Sequence, residues 1–371
     1  MARDDRRVLH VLDKLTAASG VASVVMNYIR GIPQIRQDVA VYGYCDTAME
    51  EAICACGGTV YRLPDISESF GMRFTKSVSQ LLSENQYSIV HGHLMNSAFM
   101  YLREAKRLKV PHRIIHAHSV TASDVPAKEV RNRLLSLGIP LWANCYIAVS
   151  QEAARDVFGN LENRHAFVVH NGVDNSRFRF NTDIRREVRQ ELGLSNNTLC
   201  VGNVARFARL KNHSFLLDVF QIMRKRADCV LVLAGEGPLE DDIRSKARAM
   251  GLLDSIRFLG MRQDVERLYQ AFDVFLLPSQ SEGFGLVAVE AQCSGLACVF
   301  SDHVPQVVAC NKHIEFLPLG DRGLWADTAL ALSKQCRVDG SSAVEAAKLN
   351  VDNMINKMSS IYESMRLENS F

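Results

Sequence analysis

The sequence has no C-x-x-C pair, no sustained excess of one charge and no apolar run long and unbroken enough to read as a membrane span. Each absence excludes a class of protein. Ten cysteines spread over 371 residues are too sparse for a disulfide scaffold, and only Cys54 and Cys56 lie close together, as C-x-C. Neither a stapled secreted domain nor a zinc site is therefore expected. Lys plus Arg total 43 against 41 Asp plus Glu, a net charge of +2. No global field draws such a chain to nucleic acid, and any basic site must be local. Short-period repeats and low-complexity tracts are absent too.

Two stretches come nearest to a targeting or membrane signal. Val8 to Leu12 follows the charged Met1 to Arg7, but it is interrupted by His10 and ends at Asp13, too short for a signal-peptide core. Leu134 to Gln151 carries no charged side chain. Gly138, Pro140 and Asn144 break it, and Cys145 to Val149 is strand-like, so it reads as a buried helix end followed by a buried strand. A reduced, cytoplasmic protein is expected.

What is present is ordinary globular material, 47% hydrophobic and 23% charged, in a length that suits two to three domains and excludes a small binding module. Short apolar runs alternate with longer amphipathic segments, the pattern of parallel strands covered by helices on both faces, so the class is α/β. Strands are predicted at Arg7 to Leu12, Val39 to Tyr44, Thr59 to Leu63, Ile89 to His93, His112 to His116 and Cys145 to Val149. Gly20 to Gly31 has the spacing of one apolar helical face. The turn-forming cluster His170 to Asp174 marks a boundary. The alternation then restarts with Thr198 to Ala205, Cys229 to Ala234, Ser255 to Leu259, Val274 to Pro278 and Ala297 to Ser301, and Ala343 to Leu367 reads as a closing helix.

The second half holds the clearest chemistry. Phe272 to Asp302 reads as strand, glycine-rich loop, helix, turn and strand. Gly283 and Gly285 leave the amides at the helix start uncovered, which is an anion site suited to phosphate. Glu282 lies in that loop and Glu290 about two helical turns into the helix. Carboxylates repel phosphate, so their partners should be hydroxyls, and a nucleotide sugar offers both groups. For an arbitrary pair of glutamates a solvated surface role is favoured, but the flanking glycines and buried strands lower that expectation. Arg206 and Lys211 follow a strand and can neutralise a diphosphate without a metal, although a basic loop taken alone is more often a solvated turn. Gly235 opens a G-x-G turn, weak as a sign of NAD because Pro238 stands where a dinucleotide fingerprint continues, and otherwise simply a tight turn.

These residues resemble the retaining, nucleotide-sugar-dependent glycosyltransferases of glycosyltransferase family 4, and the likeness spans nearly the whole chain. It rests on Glu282 and Glu290 within PSQSEGFGLVAVEAQCSG, Arg206 and Lys211 within VGNVARFARLKN, the GEGPL turn and Phe258-Leu259-Gly260. HNGVDNSRFRF and SGVASVVMNYIRG look most like the branch that builds exopolysaccharide and capsule. The resemblance implies the GT-B fold, two Rossmann-like domains facing each other across a deep cleft. Residues 1–172 would bind the acceptor, 173–345 the donor, and 346–371 would form a helix packing back on the first domain, with closure about Asn171-Gly172.

It also implies roles. Arg206 and Lys211 would hold the donor diphosphate, and Glu290 would accept from the ribose hydroxyls. Glu282 with the amides of Gly283, Phe284 and Gly285 would hold the transferred sugar and distal phosphate. Gly235 belongs to the donor site, and Met261 and Arg262 would lie against the base. The family's active-site histidine maps onto His118, with His116 the competing assignment. Gly20 lies in the loop where the family usually reads Gly-Gly-x-Glu; here Ser19-Gly20-Val21-Ala22 lacks the glutamate. The implied reaction moves a sugar from a nucleoside diphosphate, expected to be UDP, to a hydroxyl acceptor, expected to be a lipid-linked glycan. No metal or other cofactor is expected, and contact with the membrane would be peripheral, through Lys106, Arg107, Lys109, Arg131 and Arg133. A sugar-nucleotide epimerase and a non-catalytic partner subunit remain as alternatives.

Overall fold

A computed structural model describes residues 4–16, 19–119, 130–132, 135–159 and 166–367. The chain divides into two compact units, one of Met1–Asn171 with Asp352–Phe371 and one of Gly172–Val351.

The first unit is built on a seven-stranded sheet, β1 (Asp4–Leu12), β2 (Ile35–Val41), β3 (Val60–Arg62), β4 (Ile89–Gly92), β5 (His112–Ala117), β6 (Cys145–Ala148) and β7 (Ala166–Val168). Its order is β3-β2-β1-β4-β5-β6-β7, every pair parallel. Strand order therefore reverses between β1 and β4, and in open parallel sheets the crevice past the carboxyl ends at such a reversal is where ligands bind. The helix after β1, Gly20–Gly31, starts where Ser19 accepts a hydrogen bond from the amide of Ala22. It buries Val24, Val25, Tyr28 and Ile29.

The second unit has β8 (Leu199–Val204), β9 (Cys229–Ala234), β10 (Ile256–Phe258), β11 (Val274–Leu277), β12 (Ala297–Ser301) and β13 (Ile314–Leu317). These form a parallel sheet in the order β10-β9-β8-β11-β12-β13, reversing between β8 and β11. One face packs on Phe215, Leu216, Val219, Phe220, Trp325 and Ala329 of the covering helices.

Four sequence expectations are corrected. β2 begins at Ile35 rather than Val39, because polar Gln37 and Asp38 are fully buried with their hydrogen bonds met. Gln37 Nε2 donates to the carbonyls of Tyr28 and Ile32, while Asp38 accepts from Arg7, Tyr87 and the amide of Thr59. β13 is an edge strand that the pattern reading passed over. The closing helix is two helices, Ser341–Ala346 and Val351–Leu367, broken where Lys348 adopts φ +59°. There Val173 bridges to Asn350, its amide donating to the carbonyl of Leu349. Finally, β6 is buried as expected, but the four-residue helix before it, Ile139–Trp142, is not a buried end. Leu137 and Leu141 are 75% and 64% exposed, since so short a helix turns only Ile139 inward.

Candidate functional site

In the second unit the loops that leave β8, β9, β10 and β11 are tied to one another by backbone bonds. The amide of Phe207 donates to Glu236 O, Gly235 to Gly260 O, and Gln280 to Leu210 O. Gly235 has φ +139°, and a side chain there would run into the carbonyl of Ala205, 2.2 Å from a Cβ. Only glycine lets these two loops touch.

At the β8/β11 reversal this framework brings Lys211 and Glu282 together. Lys211 closes the turn Arg209–Lys211, ahead of the helix His213–Arg224. Its Nζ lies 2.6 Å from Glu282 Oε1, which also accepts from Ser279 Oγ at 2.7 Å. Glu282 is 9% exposed, so its carboxylate is held by two donors in a site that water reaches poorly. Arg206, two residues past β8, is exposed.

Gly285 (φ +86°) turns the chain into the helix Leu286–Cys293. Phe284 buries its ring in this turn. Glu290 lies farther along the helix and accepts from Tyr269 Oη at 2.9 Å. Burial pushes Glu290 up to about 7, against the hydrogen bond from Tyr269 and the charge of Arg177. On the loop after β10, Met261 is 53% exposed and its amide donates to Glu236, while Arg262 is held by two carboxylates. Its guanidinium makes two bonds to Asp264 (2.7 and 2.8 Å) and one to Glu191 (2.9 Å). Those bonds raise its pKa further and must be released or shared before Arg262 can meet a base.

In the first unit the corresponding reversal holds histidines. His10 lies on β1, His91 on β4 with His93 just past it, and His116 on β5 with His118 just past it. His10 Nδ1 lies 3.0 Å from His93 Nε2, and His93 Nδ1 lies 2.9 Å from His118 Nε2. A second branch runs from Tyr362 Oη to His91 Nδ1 (2.7 Å) and from His91 Nε2 to His116 Nδ1 (3.2 Å). Burial lowers all five histidines, His10 to about 4 and His118 to about 3. All are therefore neutral at physiological pH. Of His116 and His118, only His118 reaches the surface. Two triads, His10 with His91 and His93, and His93 with His116 and His118, are close enough together to hold a metal ion. Gly20 is the first residue of its helix, and a Cβ there would meet nothing within 4 Å, so backbone is open to a ligand at that point.

The basic residues of the first unit are partly engaged. Lys106 donates to the carbonyl of Leu141, Arg107 to Glu104 and Ser79, and Arg131 to Asn132. Arg133 lies outside the described residues. The division between the units falls between Asn171 and Gly172.

Sequence reasoning singled out Lys211, Glu282 and Glu290; the structure brings Lys211 and Glu282 together at the β8/β11 reversal and sets Glu290 against Tyr269 in the same unit. It missed Ser279 and Tyr269, the two hydroxyls that hold the carboxylates. It also missed His10, His91 and His93, although H-x-H recurs at the ends of two strands, as HGH after Val90 and HAH after Ile115.

Residues 184–329 match the family described as Glycosyl transferases group 1, and residues 18–177 match Glycosyltransferase Family 4. The chain is 32% identical over 355 residues to "Putative glycosyltransferase EpsF" of Bacillus subtilis, covering 94% of this chain and 89% of that one. It is 26% identical over 242 residues to an Escherichia coli protein, "UDP-Gal:alpha-D-GlcNAc-diphosphoundecaprenol alpha-1,3-galactosyltransferase", covering 62% of each. Among solved structures, Anabaena Alr3699/HepE in complex with UDP and glucose superposes with a TM-score of 0.80 at 18% identity, over 97% of this chain and 100% of that one.

Proposed function

The chain belongs to glycosyltransferase family 4 and is a glycosyltransferase of GT-B fold; from that premise we propose that it moves a hexosyl or N-acetylhexosaminyl group from a UDP-sugar to a hydroxyl of a lipid-linked glycan, retaining the anomeric configuration. The observation that carries this reading is the meeting of Lys211 and Glu282 at the β8/β11 reversal, next in sequence to the glycine-flanked turn 283–285 and within the same unit as Glu290.

Each part has a task in the chemistry. A leaving diphosphate gains negative charge in the transition state, and Lys211, Arg206 and the amides at the start of the helix Leu286–Cys293 are suited to stabilise it. Because these groups supply positive charge, the reading needs no metal. Glu290, as a carboxylate, accepts from the ribose hydroxyls. Oε1 of Glu282 already takes hydrogen bonds from Lys211 and Ser279. That supports a role in orienting the sugar hydroxyls rather than attacking the anomeric carbon as a free nucleophile. Departure of the diphosphate and attack of the acceptor then take place on one face of the sugar, with the leaving oxygen taking the acceptor proton and His118 contacting a sugar hydroxyl.

The lipid-linked acceptor draws support from the name of the Escherichia coli relative and from the first unit's surface, where Val130, Leu137 and Leu141 are exposed and Lys106 lies against Leu141. Among the described residues no helix is long and apolar enough to cross a membrane. On this reading the enzyme works in the cytoplasm and meets its acceptor at the membrane surface.

The test is a turnover assay with UDP-glucose, UDP-galactose and UDP-N-acetylglucosamine and undecaprenyl-diphosphate-linked glycans, the product anomer being read by NMR. The proposal expects UDP release that depends on acceptor and a product with the donor's anomeric configuration. An inverted product removes the retaining mechanism, and an altered sugar released without acceptor removes the transferase.

A further inference from the structure

The histidines of the first unit form a chain whose hydrogen positions can be worked out from one end. Gln37 is fully buried, and its Nε2 donates to the carbonyls of Tyr28 (2.9 Å) and Ile32 (3.3 Å). That fixes the amide orientation, so Gln37 Oε1 faces His10 Nε2 at 2.9 Å as an acceptor. His10 Nε2 must therefore carry the hydrogen. A neutral imidazole has one N–H, so His10 Nδ1 is bare and accepts from His93 Nε2. The same step repeats: His93 Nδ1 is bare and accepts from His118 Nε2. Neutrality of all three rings follows from their burial. The rings are also held in place by their neighbours, His91 stacking on His93 at 4.3 Å and His116 on His118 at 4.1 Å between centroids.

We propose that Gln37, His10 and His93 are positioning residues that fix the tautomer of His118, placing its hydrogen on Nε2 and its lone pair on Nδ1, so that His118 meets a substrate hydroxyl only as a hydrogen-bond acceptor. The substrate contact rests on the reading of His118 given above; the tautomer does not. In water a free imidazole exchanges its hydrogen between the two nitrogens and can either donate or accept. A tautomer set from inside the sheet removes the donating form, so a substrate must present an O–H to this nitrogen, and an analogue with fluorine or hydrogen in place of that hydroxyl loses the bond. The same chain bears on metal binding. The bare nitrogens of His10 and His93 are already engaged as acceptors, so an ion at either histidine triad has to break the relay to bind.

The experiment is a long-range proton–nitrogen NMR correlation on the full-length enzyme labelled with 15N-histidine, at neutral pH. The His118→Asn variant assigns the His118 signals by their disappearance. The expected result is a protonated, pyrrole-type signal at Nε2 and an unprotonated, pyridine-type signal at Nδ1. The reverse pattern overturns the proposal, and His118→Gln provides the same assignment should His118→Asn fail to fold. Gln37→Met keeps the shape and removes the acceptor. It is expected to move His118 to a mixture of tautomers and to lower kcat by about 10- to 100-fold, as for other groups that orient a histidine from behind, with less change in KM. Gln37→Glu restores the acceptor oxygen and should restore the wild-type pattern. An unchanged His118 signal in Gln37→Met contradicts the relay. The expected spectrum together with full turnover by His118→Asn removes the substrate contact while leaving the tautomer assignment standing.

Discussion

At the reversal between β8 and β11 the chain sets a lysine against a carboxylate, whereas at the reversal between β1 and β4 it sets imidazoles against imidazoles, all neutral. The two sheets are alike in being parallel and in reversing strand order once, and in both the reversal is where the polar side chains collect. On the proposed function the electrostatics differ because the tasks differ. A diphosphate needs fixed positive charge and bare amides. A sugar or acceptor hydroxyl needs neutral acceptors whose direction is set beforehand. One architecture serves both by changing what the loops and strand ends carry.

The comparison breaks most severely if the cations of the second unit are dispensable. Lys211→Ala is expected to lower kcat by about 10²- to 10³-fold, the loss typical of one group that stabilises developing charge. Initial rates at saturating donor measure it, and a loss below tenfold places the charge elsewhere.

A second effect comes from Glu290, whose carboxyl is held up to about 7. In the free protein it is mostly protonated below that pH, and the hydroxyl-accepting carboxylate appears as pH rises. UDP affinity is therefore expected to weaken by up to about tenfold per pH unit below about 7 and to level off above it. Glu290→Gln should flatten that dependence. Calorimetric titrations across this range decide it, and a slope that survives in the variant assigns the titration to another group.

Stability gives a smaller effect from the same residue. The unfolded chain loses this proton first, so the folded form becomes less stable as pH rises from the ordinary carboxylate range through about 7 and does not change further above it. Glu290→Gln keeps the contact with Tyr269 without the buried charge. It is expected to raise Tm by about 2–4 °C at alkaline pH and by less in acid. A Tm that falls at alkaline pH would show that the charge is compensated.

Arg262→Ala comes next, because its guanidinium is bound to Asp264 and Glu191. We expect a loss of about 1 kcal/mol in urea unfolding and little change in UDP affinity. A large drop in affinity would mean that Arg262 leaves its carboxylates for the base. The smallest effect is expected from chelation: incubation with EDTA should leave turnover unchanged, and a loss restored by a divalent ion would bring the histidine triads or the diphosphate site forward as a metal centre.

How much of this could be read in the sequence differs between the two units for a physical reason. The groups proposed for the donor lie close together along the chain, Arg206 with Lys211 and Glu282 with Glu290, and local glycines announce the close backbone approach. The histidine chain is assembled from β1, β4 and β5, and Gln37 comes from a fourth strand. No local pattern links residues so far apart, and a histidine on an apolar strand looks like core. Secondary structure followed the same division. Gly20–Gly31, Cys229–Ala234 and Ala297–Ser301 match the reading to the residue because their apolar spacing is unbroken. The start of β2 was hidden because its buried Gln37 and Asp38 are satisfied by partners that only tertiary structure supplies. The break at 347–350 depends on a left-handed lysine that no glycine signals.

The division of labour between the units is tested most directly by titrating UDP, which has the diphosphate but no transferred sugar, into wild type, Lys211→Ala and His118→Ala by calorimetry. The account predicts that the lysine variant loses at least about tenfold in affinity, the cost of one charge-assisted contact, while the histidine variant binds UDP as the wild type does. Full affinity in Lys211→Ala with a loss in His118→Ala would contradict it.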